Sequence, residues 1–178
     1  MTRTRKKQTD QSVAWLTASL LELMDQQPLS KISVTAITNN AQLARRTFYR
    51  HFKSPQDLLT HEVDRFCSSF YHSLHSQAIT TFPALVECFF AHCQEWRPLL
   101  DRLASNQLLG LVQERLLAQI DQSLLAEETF ANQKAVYFFA VGGMGNLLHY
   151  WFQDGARKTP AQMRRVSEEI VGHLLAVS

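Results

Sequence analysis

Apolar residues recur along this chain at three- and four-residue intervals, the period of a helix buried on one side. The first stripe is Val13, Leu16, Leu20 and Leu23, with Thr9 or Asp10 placed to cap it and Pro28 to end it. Ser33 is positioned to cap a second, short helix that turns Val34, Ile37 and Ala41 inward. A third helix starts near Arg45, after the tight connection Gln42, Leu43, Ala44. Two short helices separated by three residues form a helix-turn-helix layout. Pro55 then opens a long helix to about Gln77, striped by Leu59, Val63, Phe66, Phe70 and Leu74. Shorter helices are expected over 82–96, 98–104 and 108–124, and longer ones over 128–153 and 160–176. Thr159, Pro160 and Gln162 give the last helix a capping box.

The third helix carries the clearest chemistry. Wound at about 100° per residue, Arg45 to Lys53 gathers Arg46, Tyr49, Arg50 and Lys53 on one arc and puts Phe48 and Phe52 on the other. One side anchors on Ile37, Leu43 and the first helix, while the other presents cations and a phenol. Arginine donates two hydrogen bonds to a guanine edge, and Tyr, His and Lys hold phosphates. Taken without the short helix before it, the same face reads better as an ordinary solvated basic surface with Tyr49 lying partly on it.

Charge sharpens this picture. The chain of 178 residues has a net charge of only +2, yet residues 1–56 hold nine Lys and Arg against Asp10, Glu22 and Asp25, a local excess of +6 that leaves −4 elsewhere. A cationic segment on a neutral or acidic body fits a polyanion partner, because Lys and Arg displace counterions from phosphates. Residues 1–9 are expected as a polar, basic, mobile arm. Apolar residues make up 46% of the chain and Gly and Pro are sparse, which suits packed helices. The expected fold is all-α, with the arm and a three-helix DNA-binding bundle over 1–54 and a larger helical domain for sensing and dimerisation over 55–178.

The run from Ile32 to Thr38, the run from Ala41 to Ser54, and Asp57, Leu58 and Leu59 together resemble the DNA-binding signature of TetR/AcrR transcription regulators. Thr47, Phe48, Tyr49, His51 and Phe52 are its most specific part. The resemblance implies that Thr35, Arg45, Arg46 and Thr47 approach base edges and that Tyr49 and His51 hold the backbone or nearby bases. Arg50 and Lys53 join them as outward cations. Double-stranded DNA, bound by a homodimer on a palindromic operator, is the implied partner. Three positions depart from the pattern. Gln42 stands where Gly is usual, Ala44 removes a side-chain cap, and Pro55 replaces a phosphate-binding Lys. The segment Trp151 to Gly155 followed by Thr159 and Pro160 also resembles a subgroup from low-GC Gram-positive bacteria that includes activators and coactivators.

In the larger domain, the 128–153 helix presents Val136, Ala140, Gly143, Leu147 and Tyr150 along one stripe and Phe138, Gly142, Gly145 and His149 along another. The last helix turns Met163, Val166, Ile170 and Leu174 inward. Ala140, Gly143, Leu147, Val166 and Ile170 are the expected dimer contacts. Phe89, His92, Cys93, Trp96, Tyr137 and Phe138 are aromatic or polarizable and fit the lining of a pocket for a small hydrophobic effector, although each fits a packed core as well. Cys88 and His92, or His72 and His75, have spacings that a soft metal accepts, but neither pair has a third ligand. No metal or other cofactor is expected.

Enzyme signatures are lacking: Gly142, Gly143 and Gly145 lie inside a helix with no strand before them, and there is no serine elbow. Cys67, Cys88 and Cys93 form no disulfide framework, so a reducing cytoplasm is expected. Residues 135–152 approach membrane-spanning length but contain Asn146, His149 and three glycines, which suits a helix buried between protein surfaces and leaves no membrane partner expected. The reading is a ligand-responsive DNA-binding repressor. Its alternative is a coactivator or protein-binding module of the same fold, whose body answers to a partner protein and whose signature is an occluded pocket with an exposed apolar patch.

Overall fold

The computed structural model describes residues 2–75, 79, 81–123 and 133–176, and every regular element among them is helical. Two compact units divide the chain, a head of residues 1–63 and a body of residues 64–178. The boundary falls inside a helix, the one that starts at Pro55.

Three devices build the head. Helix α1 (Thr2–Met24) buries Leu16, Leu20 and Met24 and packs on α2 (Val34–Asn40). Ser19 Oγ donates to the Ile37 carbonyl at 2.8 Å, fixing the two helices in register. Ser33 caps α2 as expected, its hydroxyl accepting from the Ala36 N–H at 3.1 Å. The turn that follows holds Gln42 at φ +53°, a left-handed conformation that a residue with a Cβ adopts at a cost. Helix α3 (Arg45–Tyr49) then begins at Ala44, which supplies no side-chain cap.

Two expectations for the head are corrected. Residues 2–9 are helical and continue α1, whose sequence there is rich in the helix-favouring Arg, Lys and Gln. And α3 stops at Tyr49, so Lys53 lies beyond it on a connector. The reason is the start of α4 (Pro55–His75). Pro55 disfavours helical geometry at Ser54, the Ser54 hydroxyl accepts from Asp57 N–H at 3.1 Å, and the Asp57 carboxylate takes the Lys53 N–H at 2.7 Å.

In the body, the residues of α4 after Val63 bury Phe66, Cys67 and Phe70. Helix α5 (Phe82–Glu95) is capped by the Thr81 hydroxyl and leads into α6 (Arg97–Ser105) and α7 (Gly110–Ser123). Arg115 of α7 grips Asp64 with two hydrogen bonds, 2.7 and 3.1 Å, and Tyr71 Oη donates to the Leu116 carbonyl at 2.9 Å. Helix α8 (Gln133–Gln153) packs on α7, and α9 (Pro160–Ala176) packs along α5 with Met163 and Ser167 fully buried. Thr159 and Gln162 form the expected reciprocal cap at 3.3 and 2.8 Å. The parts of the expected helices that fall on residues 76–78 and 124–132 lie outside the described residues.

Candidate functional site

Helix α3 is short, and one buried ring holds it. Phe48 is wholly buried and Phe52 nearly so, their centroids 5.8 Å apart, so the opposite face of the helix must look outward. Tyr49 is accordingly 54% exposed, and Arg45, Arg46, Arg50 and Lys53 are exposed with it. Thr35, in the first turn of α2, is also exposed, while Thr47 and His51 are half-buried.

The four cations are not equivalent. The Arg45 guanidinium sits 5.8 Å from the Tyr49 ring centroid and donates to its hydroxyl at 3.4 Å. Arg50 Nε donates to His51 Nε2 at 3.2 Å. Arg46 and Lys53 side chains have no hydrogen-bond or ion-pair partner among the described residues. Burial, then Arg50, then His61 push the His51 imidazole below its ordinary range, so the neutral ring accepts from Arg50. The surface is thus a set of side-chain donors with no carboxylate paired to them among the described residues, as an anionic ligand requires.

The residues expected to line an effector pocket divide into two groups. Phe89 and Cys93 are wholly buried and His92 nearly so, with Trp96 half-buried beside them. Their rings interlock with Phe66 and Phe70, at 4.8 Å for Phe66 to His92 and 5.2 Å for Phe70 to Phe89. His92 is satisfied: Nε2 donates to the Phe66 carbonyl at 3.0 Å and lies 3.1 Å from Ser69 Oγ, leaving Nδ1 toward Glu95 at 3.5 Å. Burial pushes the Cys93 thiol far up, so it behaves as a small apolar group. Tyr137 is half-buried and Phe138 is 44% exposed. Cys88 is half-exposed in an open cleft of about 340 Å³ with Ser73, Ala91 and His92. Among the described residues no three His, Cys, Asp or Glu side chains converge as a metal site.

The expected dimer contacts surround a different feature. A groove of about 470 Å³ between α8 and α9 is lined by Ala140, Gly143, Leu147 and Ile170, together with Val136 and Tyr150. Val166 is half-buried one turn away on α9. Four lining residues escape the sequence stripes, one of them Val171 of α9. Phe139 protrudes, 71% exposed, although its three-residue step from Val136 was visible in the spacing. Asn146 is exposed, and Phe82 comes from α5. Gly143 is not an open contact point, since a Cβ there would lie 3.3 Å from the Phe82 ring. Among the described residues no helix is long and apolar enough to cross a membrane, α8 included.

Residues 16–61 match the family described as bacterial regulatory proteins, tetR family. The described fold is similar to that of the fatty acid degradation regulator FadR from Bacillus halodurans. That pair shares 13% identity and a TM-score of 0.58, over 89% of this chain and 93% of the other. It is also similar to the TetR family repressor AlkX from Dietzia sp. strain DQ12-45-1b, implicated in biodegradation of n-alkanes. Identity there is 14% and the TM-score 0.53, over 92% of this chain and 95% of that one. No curated protein matches the chain in sequence.

Proposed function

Since the chain belongs to the TetR family of bacterial regulatory proteins, we propose that this DNA-binding transcription factor is a ligand-responsive repressor that grips a palindromic operator as a homodimer in the cytoplasm. Members of this family act by binding and are not enzymes. The observation that carries the reading is the outward face of α3, where exposed donors stand on a helix anchored by Phe48. A two-fold dimer carries two such helices into successive major grooves about 34–36 Å apart. The neutral groove between α8 and α9 supports dimerisation, because its apolar lining gains by leaving water.

The effector reading rests on the aromatic cluster of Phe89, His92, Cys93 and Trp96. These side chains interlock with α4, so an apolar molecule reaches them only when α5 parts from α4, and it acts by favouring that open state. Helix α4 runs through the boundary between the units, and a displacement of its body half reaches the head along the helix itself. Ligand and DNA then oppose each other reciprocally. Genomic fragments selected by the purified protein test the DNA reading, with isotherms taken at several salt concentrations. Absence of binding to every fragment, or affinity indifferent to salt, removes it. Hydrophobic compounds screened against the resulting complex test the sensor. A partner protein that co-purifies with the body, with no releasing compound, turns the reading to a coactivator.

A further inference from the structure

Helix α8 has two working faces. One packs on α7, where Gly145 lies against Gln113. On the other, Val136, Phe139, Gly143, Asn146 and Tyr150 follow one another at steps of three, four, three and four. Alternation of this kind has a mean period of 3.5 and forms the seam by which one helix packs along another. Among the described residues nothing covers this seam. Val136 is 63% exposed, and Ile170 and Leu174 of α9 wall the groove without covering it.

The groove's features point to a second copy of the same surface as its occupant. None of its eleven lining residues is charged, which disfavours nucleic acid or a charged peptide. The patch also holds both a projection, Phe139, and a recess, the groove itself, and an isologous contact needs both on one surface. Asn146 is the odd member of the seam. Its carboxamide has no hydrogen-bond partner among the described residues, and a second helix laid along the seam would take it out of water.

We propose that Asn146 sets the register of the dimer by pairing its carboxamide with that of Asn146 in the second copy, across the two-fold axis. An amide offers a donor and an acceptor at once, so it satisfies itself through a two-fold axis as no ionised acid or base does. Sliding the helices by one seam step would bury both amides against apolar neighbours and leave their hydrogen bonds unmade. The groove alone fixes that the surfaces meet, and Asn146 fixes where. This inference rests on the dimer reading above.

Three measurements on the full chain test it. Sedimentation of the wild type establishes the dimer. Asn146→Cys, placed in a Cys88→Ser background, is oxidised at a concentration where it sediments as a dimer, and a disulfide-linked pair is expected because the two Cβ atoms face each other at the axis. Asn146→Asp sets two carboxylates together and should weaken the dimer by roughly tenfold or more near about pH 8, with recovery toward about pH 5 as one takes up a proton. A dimeric wild type with no cross-link overturns the role of Asn146 and leaves the dimer reading standing. A wild-type monomer at micromolar concentration overturns both. If Asn146→Cys is monomeric throughout, the acid-restored association of Asn146→Asp decides alone, and a pH-independent dimer of that variant overturns the proposal.

Discussion

At Arg46 and Lys53, two cations whose side chains have no partner among the described residues stand on differently built backbone, and that difference predicts different roles. Arg46 is held by helix α3, so its guanidinium has a fixed origin from which to aim at a base edge. Arg46→Ala should cost about 1–3 kcal/mol in operator binding and relax sequence preference. Lys53 projects from a connector, and Lys53→Ala should weaken every duplex alike and reduce the salt slope by about one. Competition isotherms against operator and random duplex separate the two. His51 adds a pH dependence. Its folded pKa is lowered, so its contribution to stability is complete above about pH 6.5 and is lost as pH falls, the unfolded chain taking up the proton first. Phosphate contact favours the protonated ring, so DNA binding should draw in a proton and tighten as pH falls from about 7 to about 6. In His51→Gln that slope should vanish, and a slope that survives would assign it to another group. Cys93 gives the opposite case, a position with no room. Filling it with Trp overpacks the interior, and thermal unfolding should show a loss of about 1–3 kcal/mol or more.

Helix ends decide how the elements of the head fit together. Ser33 satisfies the Ala36 N–H, and Ser33→Ala should cost about 1 kcal/mol of head stability, read by thermal or denaturant melts. Gln42 works against the fold, since its φ of +53° is reached more cheaply by glycine. Gln42→Gly should therefore stabilise by a few tenths to about 1 kcal/mol, the strain relieved exceeding the extra entropy lost by glycine. A lower melting temperature would show that the Gln42 side chain makes a contact worth more than its strain. The short length of α3 has the same origin in end chemistry. Its anchor is the Phe48 ring, while the Asp57 carboxylate and Pro55 stop it from reaching Lys53.

For the whole molecule, assembly is the property most open to test. Gly143→Glu is a poor probe of the interface, because the added side chain meets Phe82 inside its own subunit. Phe139 is free of that conflict, being 71% exposed. Phe139→Glu should dissociate the dimer while leaving the circular dichroism spectrum and melting temperature of the monomer near those of the parent. Loss of the second head removes the multivalent gain, so affinity for a full palindrome should fall by about 100-fold or more while that for an isolated half-site stays the same. A Phe139→Glu protein that remains dimeric in sedimentation would move the interface away from the α8 and α9 groove.

The all-helical fold, the helix-turn-helix and the family match of residues 16–61 were legible in the sequence because each rests on local order. Ser33 as a cap, the unusual turn at Gln42, the anchoring of Phe48 and Phe52, and the reciprocal cap of Thr159 and Gln162 involve residues a few positions apart, where spacing is geometry. Two local events were still misread. The helix-favouring run before Asp10 extends α1, and the cap at Asp57 ends α3 early, since competing ends settle a boundary that periodicity leaves open. Side chains brought together from distant segments could not be read in this way. Phe89, His92 and Cys93 have the composition of a pocket lining, and only their packing on Phe66 and Phe70 makes them an interlocked interior. Gly143 looks like an open contact in a stripe of small residues, yet Phe82, far away in the chain, fills the space above it. Periodicity records which residues share a face of a helix. What that face meets depends on the other helices, and that was decided only when the chain packed.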